Sequence, residues 1–156
     1  MRIHTLIVPG LALFLAGCAS APEAPKQEAP KKAAPKMLDL THYFPQEGQT
    51  GTKVVETDLY GKKYLGPGYT AQYKKGKREF EMFYVKTSAV GAALALLEYK
   101  KALKDPKLIA HFGGYFGKDG DVPAFVFAKV EWIAGVRGLP EKEADLEARE
   151  LAARLP

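Results

Sequence analysis

YTAQYKKGKREFEMFYVKTSAVGAALALLEYKKAL, residues 69–103, carries two hydrophobic periods back to back, and their succession decides the fold class. Tyr69, Ala71 and Tyr73 alternate with polar residues, as do Phe80, Met82 and Tyr84. A period of two belongs to strands with one face on a core, and Lys74-Lys75-Gly76-Lys77 between the runs supplies a turn, so the stretch reads as a hairpin. Beyond Ser88 the period changes. Ala92, Ala95, Leu96, Tyr99, Ala102 and Leu103 fall three or four apart, while Glu98, Lys100, Lys101 and Lys104 lie off that stripe. This spacing predicts a helix over 89–103. Ser88 stands where a hydroxyl caps an orphan amide, Gly91, Ala92, Ala93 and Ala95 allow close approach to a sheet, and Asp105-Pro106 ends the element.

Downstream, Leu108 to Phe116 reads as one strand, followed by the turn Lys118-Asp119-Gly120-Asp121. The aromatic and β-branched run Ala124 to Val136 is long enough for two strands turning near residues 129–131, with Pro123 at a strand start or edge. Pro140 at a first helical position, Glu141 and Glu143 after it, and Arg149 and Arg154 near the end match the dipole of a terminal helix. Ala144, Ala148, Leu151 and Leu155 form its apolar stripe. Upstream, residues 37–68 are rich in Gly, Thr and Pro and predict irregular structure with one or two short strands. The expectation is a single α+β domain over 37–156, an antiparallel sheet of about five strands with two helices packed mainly on one face.

The first 36 residues have a different character. An apolar run from Leu6 to Ala16 follows Arg2 and His4, is too short to span a bilayer at about 20 residues, and ends in Leu15-Ala16-Gly17-Cys18. Residues 1–20 resemble the signal of bacterial lipoproteins. The resemblance implies cleavage after Gly17, lipid on the Cys18 thiol and membrane anchoring through it. Ala19, rather than aspartate, follows the cysteine, which by the same resemblance favours the outer membrane. Cys18 is the only cysteine, so no intramolecular disulfide is open to the chain. Residues 19–36, ASAPEAPKQEAPKKAAPK, hold four prolines and no large apolar side chain, and predict a semi-extended linker of at most about 55 Å. The three regions are thus a signal peptide (1–17), a lipidated terminus with linker (18–36) and the domain (37–156).

Charge argues against a nucleic-acid partner. The chain is +5, but Arg2 is lost with the signal, and Lys26, Lys31, Lys32 and Lys36 against Glu23 and Glu28 give the linker +2, which leaves the domain only +2.

No residue pattern in the domain carries catalytic chemistry strongly. Ser88 is its only serine and is explained as a cap; His42 and His111 have no second His or Cys at ligand spacing, so no metal or other cofactor is expected. Glu79 and Glu81 share one strand face and are read as solvated, and Asp119 and Asp121 as turn residues without a calcium loop. Phe112-Gly113-Gly114-Tyr115-Phe116-Gly117 lacks the Lys and Ser/Thr of a phosphate loop, and Gly135-Val136-Arg137-Gly138 is read as a strand end. The most usable surface feature is a basic, tyrosine-bearing region of Tyr60, Lys62, Lys63, Tyr64, Tyr73, Lys74, Lys75, Lys77 and Arg78. From Tyr69 to Leu155 the pattern also resembles a family of bacterial lipoproteins with no assigned activity, through Phe125-Val126-Phe127 and Trp132-Ile133-Ala134-Gly135-Val136-Arg137-Gly138. The expected function is a non-enzymatic, membrane-tethered envelope protein that binds a protein or envelope component. The alternative is a carrier of a small ligand or lipid in an apolar pocket between sheet and helix.

Overall fold

The computed structural model describes residues 37–156. The lipobox, Cys18 and the linker lie outside the described residues. Seven strands and two helices follow in the order β1 (Gln49–Val55), β2 (Gly68–Lys75), β3 (Arg78–Lys86), α1 (Ala89–Ala102), β4 (Lys104–Ile109), β5 (Gly114–Asp119), β6 (Val122–Lys129), β7 (Trp132–Arg137) and α2 (Glu141–Arg154). All strands join one sheet of order β1-β2-β3-β7-β6-β5-β4, and every neighbouring pair is antiparallel. After the β1–β3 meander the chain crosses along α1 to the far edge and returns strand by strand until β7 pairs with β3. The α+β class holds, with seven strands where about five are expected.

The two additional strands are β1 and the one gained by the split of 108–116. That stretch is two strands, because Gly113 adopts φ 70 and the Ile109 carbonyl accepts from the amides of Phe112 and Gly113, closing a turn. The other elements match their predicted places: the hairpin turn at Gly76-Lys77, the Ser88 hydroxyl accepting from the Gly91 amide at 3.0 Å, and the β6–β7 turn at Val130-Glu131.

The helices pack on opposite faces of the sheet, which corrects the expectation of one face. α1 places Ala95, Leu96, Tyr99 and Leu103 against Phe83, Val85, Val126 and Ile133. α2 places Ala144, Ala148, Leu151 and Leu155 against the face bearing Met82, Tyr84, Phe125, Phe127 and Val136. The cause is in the central strands. Met82-Phe83-Tyr84-Val85, Ala124 to Phe127 and Trp132 to Val136 are continuous apolar runs, so both faces must be covered. On the α2 side, β2 and β3 are covered by residues 38–45 instead. The hydroxyls of Tyr69, Tyr73 and Tyr84 donate to the carbonyls of Leu38, Pro45 and Leu40, and Phe44 packs on the Tyr84 ring. The buried core of both layers comes from Phe44 to Leu155, so the domain carries its own core.

The edges differ. β4 holds Pro106, which cannot donate to a ladder, beside Asp105 at φ 51 and exposed Lys104 and Lys107. β1 is exposed through its middle, Thr50 to Lys53, with no proline.

Gly135 on β7 makes room for the Phe83 ring on the α1 side of the sheet. A Cβ there would lie 2.6 Å from the Phe83 ring and would strike the Phe125 carbonyl, and Phe83 in turn stacks on Tyr99 of α1 at 5.9 Å. We expect Gly135→Ala to destabilise the domain by more than about 2 kcal/mol, read as a lowered urea midpoint; an unchanged midpoint would refute this account of the packing.

Candidate functional site

α1 covers β3, β7, β6 and β5 on its side and leaves β1 and β2 open. The register row Gly51, Gln72, Glu81, Arg137 crosses this open region, with Lys53 and Thr70 beside it in the same face on one side and Lys74 and Glu79 on the other. The β1–β2 connection folds over its edge, burying Leu59 and Leu65 and forcing Tyr60 into the left-handed region at φ 55, ψ 24. A non-glycine residue there is strained, and such strain persists only where surrounding contacts over-determine it. Those contacts are visible. The Tyr60 hydroxyl donates to Glu81 Oε1, and the Arg137 guanidinium lies 4.0 Å above the Tyr60 ring.

Glu81 is held from three sides: by Tyr60 and by Gln72 Nε2, which donates to Oε2, with Arg137 at 3.7 Å. Arg137 also reaches Asp119 Oδ2 at 3.5 Å. Asp119 accepts from Lys62 Nζ at 3.0 Å and from the Tyr99 hydroxyl at 2.8 Å, so the network bridges the β1–β2 connection, β3, β5, β7 and α1. Two carboxylates and two cations balance, and all four side chains are largely buried. Burial raises the Asp119 pKa, but the Lys62 and Tyr99 hydrogen bonds and the charges of Lys62 and Arg137 outweigh it and hold the carboxyl below its ordinary value. Burial, then the neighbouring carboxylates, drive the Tyr60 and Tyr99 hydroxyls well above the usual phenol range, so both stay protonated donors. Burial likewise pushes Tyr64 up to about 12; its hydroxyl finds no partner among the described residues.

Beside this network lies a groove of about 480 Å³, lined by Thr52, Lys53, Val55, Tyr60, Gln72 and Glu81 among others. A second hollow of about 270 Å³ lies on the far side of Gln72 and Glu81, with Glu79, Val122 and Arg137 on its walls. Glu81 is therefore the partition between two concavities. Its carboxylate is fixed in place and can accept further hydrogen bonds from whatever occupies either one.

The residues singled out from sequence divide between two places. Tyr60 and Lys62 belong to the network, Tyr64 packs edge-on to Tyr99 at 6.3 Å, and Lys63 is exposed nearby. Tyr73 is buried on the opposite face, stacked on Phe80 at 5.0 Å, because strand alternation turns it away from Gln72 and Lys74. The hairpin tip is not a free basic patch. Lys75 pairs with Glu147 at 2.7 Å and Glu150 at 3.4 Å, Arg78 with Glu143 at 3.4 Å and Glu147 at 3.7 Å, and Lys74 with Glu79 at 2.8 Å. Three of the four basic side chains there are thus engaged, two of them clasping α2, and Lys77 is the exposed remainder. His42 lies against Tyr43, and His111, in the β4–β5 turn rather than a strand, bonds Asp145 at 3.0 Å.

Sequence reasoning missed Gln72, Asp119 and Arg137 as site residues and read Glu81 as solvated. The available signal was the hairpin register, which pairs Gln72 with Glu81; the pairing of Glu81 with Arg137 joins strands separated by α1 and three others. No protein-family model matches this chain, no curated protein matches it, and no solved structure matches it.

A depressed Asp119 pKa contributes stability that is complete above the ordinary aspartate value near 3.9 and is lost as pH falls through the lower folded value. Asp119→Asn should therefore be less stable than the parent at pH 7, with the difference shrinking below about pH 4. Urea titrations across pH 2–7 check this, and a gap that stays constant would contradict it.

Proposed function

We propose that this chain is a lipid-anchored, non-enzymatic lipoprotein of the bacterial envelope, held through Cys18 with the outer membrane favoured, whose domain binds a protein or envelope component. The anchor rests on Leu15-Ala16-Gly17-Cys18 and the proline-rich residues behind it. The binding reading rests on one observation: on the α1-side face neither helix covers β1, β2 or the Glu81 end of β3, which leaves an ordered carboxylate between two concavities. Tyr60 supplies a ring and Lys53, Gln72 and Glu81 supply donors and acceptors, a mixture suited to a polar, hydrogen-bonding partner such as a peptide or a sugar chain.

The carrier reading is weaker. Between sheet and α1, where an apolar ligand would sit, Phe83, Leu96, Tyr99, Val126 and Ile133 are packed together and buried.

Cys18→Ser is expected to abolish lipid labelling and membrane retention in cells; retained labelling would remove the anchor. Separately, a photo-crosslinker placed at exposed Lys53 should capture one defined envelope species, and Glu81→Ala should reduce that capture by about tenfold, the weight of one charged hydrogen bond. Capture indifferent to Glu81 would overturn the assignment of the groove.

A further inference from the structure

β1 has a single neighbour in the sheet, β2, and its residues Thr50 to Lys53 are exposed. Which of its backbone groups face outward follows from β2. The Lys74 amide donates to the Gly48 carbonyl at 2.8 Å, so by alternation Lys74, Gln72 and Thr70 turn their backbone groups toward β1, and Tyr73, Ala71 and Tyr69 turn theirs toward β3. Thr52 and Val54 stand opposite Ala71 and Tyr69 and therefore direct amide and carbonyl away from the sheet. Neither has a backbone partner on that side among the described residues. An unpaired row of this kind is a template for a further strand.

We propose that β1 pairs antiparallel with β1 of a second copy of this chain about a two-fold axis at Thr52, joining the two sheets into one. β1 is self-complementary in that register. Thr52 is the middle residue of Gln49–Val55 and faces outward, so it exchanges amide and carbonyl bonds with its twin while the whole strand overlaps. An axis at Val54, the other outward residue, pairs only Lys53 to Val55 within β1. An axis at Lys53 uses a residue that bonds inward and sets two ammonium groups face to face. With the axis at Thr52, Lys53, the only charged side chain of β1, lies opposite the partner's Gly51. A lysine on an edge ordinarily discourages pairing. Here it meets open room, since a Cβ at Gly51 would have nothing within 4 Å. The proline-rich residues 19–36 do not match this edge, because no run between their prolines exceeds four residues against the seven of β1. The axis stands perpendicular to the sheet, so both grooves beside Glu81 open on the same face, and each row Gly51, Gln72, Glu81 gains the other copy's lysine at its outer end. Pairing of this kind requires neither the lipid anchor nor a ligand in the groove.

The test uses residues 37–156, which carry their own core and no cysteine. Sedimentation should show a monomer–dimer equilibrium. Gly51→Lys sets a lysine against the partner's Lys53 twice per dimer and should weaken association about tenfold, whereas Gly51→Glu should strengthen it by a similar factor. The open room at Gly51 and its ordinary φ admit both side chains without strain in the monomer. Leu94→Gln with Leu97→Gln, on the exposed face of α1, should leave the equilibrium unchanged. On oxidation Thr52→Cys should form a covalent dimer, because directly opposed residues stand about 5.5 Å apart. Lys53→Cys should not, because in this register strand geometry sets it more than about 8 Å from its twin. The cysteine readings do not depend on the Gly51 variants folding. A monomer throughout, a dimer indifferent to both charges at position 51, a dimer lost with Leu94 and Leu97, or equal crosslinking at positions 52 and 53 would overturn the proposal.

Discussion

Strand β3 is apolar on both faces, and the architecture follows from accommodating that. Phe83 and Val85 point one way and Met82 and Tyr84 the other, with β7 and β6 beside it in the same condition. A sheet with two oily sides needs two covers, which the chain supplies with one helix before and one after the β4–β7 meander. The helices do not reach β1 and β2. On the α2 side residues 38–45 complete the cover, fastened by three tyrosine hydroxyls, and on the α1 side the β1–β2 connection lays Leu59 and Leu65 over part of the sheet and leaves the row from Gly51 to Glu81 open. The candidate site is the area of sheet left over.

That remainder is polar without being loosely charged. Each carboxylate of the Glu81–Arg137–Asp119–Lys62 network meets a cation as well as neutral donors, the condition under which partly buried charges are tolerated. The network ties the strained Tyr60 to strands from both halves of the sheet, so the shape of the groove depends on contacts made far from it in sequence.

Much of the fold is legible in the sequence because it is local. The hairpin, both helices, the Ser88 cap and the Val130-Glu131 turn are set by periodicity and by residues within a few positions of one another. The side taken by each helix is a property of the assembled sheet. It was nonetheless latent in Met82-Phe83-Tyr84-Val85, whose unbroken apolarity contradicts a single covered face. The site was less legible. Tyr60 and Lys62 stand out by composition, whereas Asp119 passes for a turn residue until Tyr99, Lys62 and Arg137 are brought to it by topology. Tyr73 and Lys75 look like surface for the converse reason: one turns inward by strand alternation, and the other is claimed by Glu147 of a helix 72 residues away.

The unequal sheet edges set a limit on growth. With Pro106 lacking an amide hydrogen and the backbone turned at Asp105, β4 is a poorer template for an eighth strand than β1 is among the described residues. Two copies joined β1 to β1 would present nothing but β4 at either end. Extension would stop at that pair, so the domain can keep one sheet margin open for pairing without becoming the repeating unit of a fibre.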